Sequence, residues 1–253
     1  MKVFTLLSVC YICLATLYEP EAKIGIYVNY LSNLKGNRVD FYDKRLGNCE
    51  PSSGLIRVPE TLSNVLLGNK ITNSNFNVIM KQSSKCQKLC QLTPTDSEWF
   101  QKIVRGDFFY NFIVDGLPLI SVDSEEGIGK KNISLGVPVS FSEEKQVFLN
   151  NHLSFIFEYN EVEKGKLAIV GSYVVASSRK QNTKEDSSLD CEVSDRMAAE
   201  GALSQFIITY DVTWRESKKN IRDRNLEYSV FRSRSVQWFK YINLTIACFG
   251  RPC

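Results

Sequence analysis

The stretch VFLNNHLSFIFEY, residues 147–159, decides the fold class of this chain. From Leu153 onward, apolar side chains alternate with polar ones such as Ser154 and Glu158. A period of two residues is typical of a β-strand with one buried face. A turn-like run, 163–166, and a second apolar run, 167–175, follow this stretch. The two apolar runs therefore predict a β-hairpin in the middle of a sheet.

Further runs of β-forming residues indicate that strands dominate the rest of the chain. They have strand length and apolar or alternating patterns, and they lie at 23–31, 38–42, 76–81, 108–114, 135–141 and 206–214. The run 108–114 is apolar except at Asn111 and predicts burial on both faces, whereas Pro138 favours an edge position for 135–141. We expect a mainly β fold, a β-sandwich-like domain.

Two short helices are expected beside these strands. Residues 58–68 place Leu62 and Leu66 on one face, and Gly68 is suited to end the helix. The clearer helix opens at Thr93, a capping residue, followed by Pro94 in the first turn, and it ends at Gly106.

Length and charge set the broad class of the molecule. A chain of 253 residues is long enough to bury a core in one large domain or two small ones. Its formal net charge of +3 is too small to indicate a nucleic-acid partner.

The N-terminus, MKVFTLLSVCYICLATLY, predicts a secretory signal peptide over residues 1–17, with cleavage near Ala15. One lysine precedes about a dozen apolar residues, and small residues follow at the cleavage position. The alternative is an N-terminal membrane anchor, which the short apolar run disfavours. A cleaved chain enters an oxidising lumen, where disulfides form. Residues 18–235 are then the lumenal domain.

Four cysteines are disulfide candidates: Cys49, Cys86, Cys90 and Cys191. The same thiolates could instead bind zinc, but oxidation is favoured in a secreted chain. The spacing of Cys86 and Cys90 allows a small-loop disulfide, which would leave Cys49 and Cys191 as the long-range pair. The sequence does not determine this connectivity, and we expect no metal site.

Glycosylation is expected at sequons, of which there are two, Asn132 and Asn243. Asn132 lies in a predicted surface loop and is the stronger candidate. Asn243 lies beside an apolar segment and is the weaker one.

The sequence contains few residues or motifs that indicate a catalytic site. His152 is the only histidine, and no Gly-x-Ser-x-Gly motif accompanies it, so we expect a hydrogen-bonded or solvent-facing side chain. Neighbouring acids at 125–126 and 143–144 are typical of solvated loops, and no glycine-rich phosphate loop is present. The sequence therefore predicts neither an enzyme nor a cofactor.

The C-terminal part of the chain, residues 212–249, contains a basic segment and then an apolar one. Residues 212–240 hold eight basic residues against three acidic ones, and residues 237–249 are aromatic and apolar. Trp238 and Tyr241 are similar to the aromatic belt at a membrane interface, but the apolar run is shorter than the roughly 20 residues that span a bilayer. The alternatives are a membrane segment and a last strand or helix that docks on the domain.

Several stretches in order resemble one family, the transmembrane-nine superfamily, also called nonaspanins or the endomembrane protein 70 family. The similarity runs collinearly from about Ile24 to Asn243. The stretches that carry it are LSNVLLGNKITNSNFNVIMKQSSKCQKLC at 62–90, FFYNFIVDGLP at 108–118, FLNNHLSFIFEY at 148–159, FIITYDVTW at 206–214 and VQWFKYIN at 236–243. The chain departs from the family pattern at Asn64, at Asn69 and at residues 223–225.

The resemblance implies a lumenal domain of a Golgi or endosomal multispanning membrane protein. Relatives are associated with sorting membrane proteins and with adhesion and phagocytosis, so transmembrane cargo and the membrane are the implied partners; no enzymatic activity or cofactor is implied. Residues 236–253 would be the truncated start of the first transmembrane helix, and the nine spans would be missing. The alternative hypotheses are a secreted β-sandwich module that binds glycans or a cell surface, and, less favoured, a hydrolase.

Overall fold

The computed structural model describes residues 16–47, 49–59, 68–128, 133–181, 189, 191 and 195–228. Strands dominate these residues, and one α-helix of at least two turns, α1, spans Ser97–Val104. The prediction of a mainly β fold is confirmed. The strands, in chain order, are β1 Lys23–Ile24, β2 Ile26–Val28, β3 Leu31–Asn33, β4 Arg38–Val39, β5 Thr72–Asn73, β6 Val78–Ile79, β7 Ser84–Leu92, β8 Phe108–Tyr110, β9 Phe112–Val114, β10 Leu117–Pro118, β11 Ile120–Val122, β12 Ile133–Leu135, β13 Val137–Pro138, β14 Ser140–Glu143, β15 Gln146–Leu149, β16 His152–Glu163, β17 Lys166–Ser177 and β18 Phe206–Glu216.

The largest sheet has six strands in the order β12-β11-β17-β16-β18-β7. β16 and β17 pair antiparallel from His152 opposite Ser177 to Glu163 opposite Lys166, which confirms the predicted central hairpin. On its other side β16 pairs parallel with β18. Residues 152–159 of the quoted stretch therefore lie in a central strand of the sheet, where most of their side chains are buried, whereas 147–149 belong to β15 of a separate two-stranded sheet.

Two four-stranded sheets, ordered β10-β9-β2-β5 and β13-β8-β3-β4, lie beside the six-stranded sheet. Phe155 of β16 and Val212 of β18 pack in one buried cluster with Ile26 of β2 and Phe112 of β9. The rings of Phe112 and Phe155 meet edge to face, with centroids 6.0 Å apart. This shared core joins the six-stranded sheet to a second layer, as in a sandwich.

Helix α1 covers a second core. Phe100, Ile103 and Val104 are buried against Leu149 and Phe206. The helix begins three residues later than the capping pattern predicts. Its cap is the carboxylate of Asp96, which accepts a hydrogen bond from the backbone N–H of Trp99.

The apolar run 108–114 is not one strand, contrary to prediction. It divides at Asn111 into β8 and β9, which belong to different sheets. The Asn111 side-chain amide donates to the backbone oxygen of Tyr30 at 2.6 Å and to Ser32 Oγ at 2.9 Å. The polar side chain thus bonds across the point where the chain changes sheets. The run 135–141 is also divided, but Pro138 lies in β13 at a sheet edge, as predicted.

Several predictions fall on residues that the structure does not describe. They concern the signal peptide, most of the helix at 58–68, the sequons at Asn132 and Asn243, and the segment 236–253. Among the residues that are described, no helix combines the length and apolar character that crossing a bilayer requires.

Candidate functional site

His152, the first residue of β16, is held in a buried polar cluster. Its side chain is 1% exposed. Nδ1 lies 2.8 Å from Thr209 Oγ1, and Nε2 lies 3.1 Å from Asp211 Oδ2. Ser154 Oγ lies 3.4 Å from the same Nε2. The parallel pairing of β16 with β18 sets this arrangement, because it places His152 beside Thr209 and Ser154 beside Asp211.

The cluster lacks the accessible nucleophile of a triad. A triad places the carboxylate on one ring nitrogen and the nucleophilic hydroxyl on the other. Here Ser154 and Asp211 both face Nε2, and the hydroxyl on Nδ1 belongs to Thr209, which is 0% exposed and cannot reach a substrate. The ring therefore cannot pass a proton from Ser154 while Asp211 orients its opposite side. The arrangement positions β16 against β18.

Asp211 connects this cluster to the neighbouring edge strand. Its Oδ1 accepts a hydrogen bond from the backbone N–H of Cys86 at 2.6 Å. Burial raises the pKa of the Asp211 carboxyl, but the hydrogen bonds from His152 and from the Cys86 amide outweigh burial and hold the pKa below its ordinary value. Asp211 is therefore an ionised acceptor that ties β7, β16 and β18 together.

The preceding residue, Asn151, satisfies backbone groups on two other segments. Its side-chain amide donates to the carbonyl oxygens of Arg179 at 2.8 Å and Ile207 at 2.9 Å. Its side-chain oxygen accepts from the Arg179 N–H at 2.8 Å. Buried polar groups stabilise a fold only when their hydrogen bonds are made. The Asn-His pair is thus a structural joint at the start of the central strand.

Two disulfides lie on the edge strand β7, and they give the connectivity that the sequence left open. Cys49 bonds to Cys90, and Cys86 bonds to Cys191. Residues four apart on a strand are separated by about 13 Å. A disulfide needs Cα atoms within about 7 Å. Cys86 and Cys90 therefore cannot pair with each other once β7 is extended.

The disulfides also protect the edge of the six-stranded sheet. β7 pairs with β18 on one side and is the outermost strand of that sheet. Cys49 and Cys191 are covalently bound to it, and Lys85 and Lys88 are exposed along it. Covered strands and lysines both prevent edge-to-edge association.

A second polar centre forms around Asp115, which lies just after β9. The carboxylate pairs with the guanidinium of Arg224, and the two side chains are 3% and 4% exposed. Arg224 Nη2 also donates to the Asp115 backbone oxygen at 3.1 Å. The Tyr18 hydroxyl and the Thr16 backbone N–H donate to Asp115 Oδ1 at 3.3 and 3.2 Å. Buried charges of this kind require close pairing.

Arg224 belongs to a segment, residues 217–228, that we call the strap. The strap is also held by Lys219, whose Nζ lies 2.8 Å from Glu158 Oε2 and 2.5 Å from Glu227 Oε1. The Tyr173 hydroxyl donates to Glu227 at 2.7 Å and accepts from Lys219 at 2.8 Å. Burial lowers the pKa of Lys219, but hydrogen bonds to Glu158 and Glu227 raise it more, so its pKa lies above the ordinary value.

The strap thus contacts the domain at both of its ends. The Tyr228 hydroxyl donates to the Pro118 oxygen at 2.7 Å. The Asn160 side chain donates to the Lys219 oxygen at 2.8 Å. With the Asp115–Arg224 pair, these bonds fix the strap to β16, β17 and the β9–β10 turn.

A surface cleft of about 620 Å³ lies between the end of α1 and the hairpin β14–β15. Arg105, Asp107, Ser140 and Glu200 line it. Its charges are mixed, and within the described ranges no group of acidic, histidine or cysteine side chains could hold a metal ion.

Comparison with known proteins identifies the kind of domain. A family model described as endomembrane protein 70 matches residues 38–250. The chain belongs to the endomembrane protein 70 family. The matched range contains the His152 cluster, both disulfides, Asp115 and the whole strap.

Curated relatives of this endomembrane protein 70 chain carry transmembrane 9 superfamily names. A Schizosaccharomyces pombe protein of that superfamily is 28% identical, over 90% of this chain and 38% of its own length. Member 1 from Saccharomyces cerevisiae is 24% identical over 91% of this chain and 42% of its own length. Human member 4 is 27% identical over 79% of this chain and 36% of its own length. The chain thus spans about two fifths of the length of these relatives.

Sequence reasoning found His152 and the four cysteines but missed the Asp115–Arg224 pair. The two residues are 109 positions apart. Asp115 was noted only within a stretch that resembles the family, and Arg224 was counted only as part of a basic segment and of a departure from the family pattern. A single sequence carries no signal that joins them.

Proposed function

We propose that this chain supplies the lumenal domain of a Golgi or endosomal membrane protein that sorts other membrane proteins, and that the domain has no enzymatic activity. Membership of the endomembrane protein 70 family supports the membrane association, because the curated relatives are named as transmembrane proteins. In this proposal the transmembrane cargo is contacted through the part of such proteins that lies in the membrane.

The two disulfides support the lumenal side. They join residues that are 41 and 105 positions apart, and such bonds persist in oxidising compartments. A cytosolic chain would keep these thiols reduced.

The observation that carries the proposal is the fixed strap. Residues 217–228 are held by a buried ion pair and by the Lys219 network, so this segment is fixed to the domain. A segment fixed in this way supports a domain that is held in place on a membrane protein. Ser154 and Asp211 share one nitrogen of His152, and Thr209 on the other nitrogen is wholly buried, so the geometry supports a structural role for this cluster.

The test is to express the full chain with an epitope tag in cells and to follow its location and its sensitivity to protease. We expect protection from added protease in intact vesicles and overlap with Golgi or endosomal markers. An Arg224→Met variant, which frees the strap, should become more sensitive to protease once detergent has opened the vesicles. A Lys218→Met variant, which changes an exposed residue of the same strap, is the matched control.

Two outcomes would overturn the proposal. Free secretion without retention would instead support a secreted β-sandwich binding module. Residence in the cytosol with reduced cysteines would exclude a lumenal domain altogether.

A further inference from the structure

The backbone nitrogen of Thr16 lies beside a buried carboxylate. It is 3.2 Å from Asp115 Oδ1, the oxygen that also accepts from the Tyr18 hydroxyl. The other oxygen, Oδ2, faces the Arg224 guanidinium. One carboxylate oxygen of Asp115 thus contacts the first described residues, and the other contacts the strap.

Thr16 directly follows the expected cleavage position of the signal peptide. Ala15 has the small side chain that signal peptidases require before the cleaved bond, and Cys13 is a small residue two positions earlier. Hydrolysis of the Ala15–Thr16 bond consumes one water. It leaves a carboxylate on Ala15 and an ammonium group on Thr16.

We propose that signal-peptide removal at Ala15–Thr16 creates the cation that completes a charge cluster of the Thr16 ammonium, Asp115 and Arg224. In the unprocessed chain the same nitrogen is a neutral amide with one hydrogen to donate. In the processed chain it carries a charge and three donors. Hydrogen bonds between charged groups are roughly twice as strong as those between neutral ones. Processing therefore strengthens the anchor of the strap.

The surroundings of Asp115 suit a second cation. A guanidinium and an ammonium on opposite oxygens of one carboxylate satisfy both of them. Tyr18 does not compete as a charge, because burial and then the Asp115 carboxylate raise its pKa to about 12, which keeps the hydroxyl neutral. Thr16 and Leu17 are exposed, so the Thr16 side of the cluster is open to solvent.

The test uses the full chain, processed by cells and purified from their lysed membrane vesicles. N-terminal sequencing should begin at Thr16. Periodate removes the amine of an N-terminal threonine by cleaving its amino alcohol, so it deletes the proposed cation without a mutation. We expect this treatment to lower the Tm by about 2–4 °C. In an Asp115→Asn variant, which has no carboxylate to pair, the same treatment should leave the Tm unchanged.

A second variant keeps the proposal testable if Asp115→Asn does not fold. Insertion of one glycine between Ala15 and Thr16 moves the new ammonium by up to about 3.6 Å along the chain. The processed product should then show the reduced Tm without periodate. A first residue other than Thr16, or a Tm that neither periodate nor the insertion changes, would overturn the proposal.

Discussion

Arg224 pairs with Asp115 across 109 residues of sequence, and both side chains are almost wholly buried. Breaking a buried ion pair by removing one partner leaves an uncompensated charge, which costs about 3–5 kcal/mol. We therefore expect Arg224→Met to lower the free energy of unfolding by roughly that amount. Urea denaturation followed by tryptophan fluorescence measures it.

A double variant measures the interaction energy between Asp115 and Arg224 apart from their contacts with other residues. Once Arg224 is methionine, replacing Asp115 by asparagine removes the charge that was left behind. The double variant should therefore be less destabilised than the sum of the two single ones, since contacting residues are not additive. Strict additivity would show that the two residues act independently.

Gly171 keeps the Lys219 network in place. It lies opposite Glu158 in the β16–β17 hairpin, and a Cβ at this position would stand 2.7 Å from Glu158 Oε2 and 2.9 Å from Tyr173 Cε2. Gly171→Ala should push Glu158 away from Lys219 and destabilise the domain by about 1–3 kcal/mol.

Gly201→Ala is the matched control for Gly171. A Cβ at Gly201 meets no atom within 4 Å, and its φ is not in the left-handed region. We expect the urea denaturation midpoint of Gly201→Ala to match that of the parent chain, and that of Gly171→Ala to be lower. An equal loss in both variants would mean that the effect comes from the glycine backbone and not from Glu158.

The depressed pKa of Asp211 predicts a loss of stability in acid. A carboxyl whose folded pKa lies below its unfolded value of about 3.9 stabilises the fold above that value. The contribution is lost as the pH falls through the folded pKa. We expect Asp211→Asn to make the free energy of unfolding depend less on pH below about pH 4, the acid limb of the curve of stability against pH. Urea midpoints measured from pH 7 to pH 2 give the curve.

Glu216→Gln serves as the control for Asp211 because it changes an exposed carboxylate on the same strand. Its acid limb should keep the parent slope. His152→Gln should reduce the acid dependence in part, since it removes the side chain that faces Asp211 Oδ2. An unchanged acid limb in Asp211→Asn would contradict the assignment.

Local pattern was enough to predict the central hairpin, β18 and α1, because each has an uninterrupted period in the sequence. It was not enough at residues 108–114, where apolarity alone favours one strand. The division there depends on hydrogen bonds from Asn111 to Tyr30 and Ser32, which are distant in sequence.

The site was predictable only where one residue type is rare. His152 and the cysteines can be singled out in the sequence because few other residues could fill their roles. The disulfide pairing, however, depends on β7 being extended at the sheet edge. Asp115 and Arg224 are ordinary charged residues in sequence. Their burial arises from the way the strap packs, which no local pattern encodes.

The most direct test of the account is non-reducing peptide mapping of the chain isolated from protease-treated, intact endomembrane vesicles. The account predicts that the chain survives the protease and yields two cross-linked peptide pairs, Cys49 with Cys90 and Cys86 with Cys191. Digestion of the chain by the external protease, with all four thiols free, would contradict it.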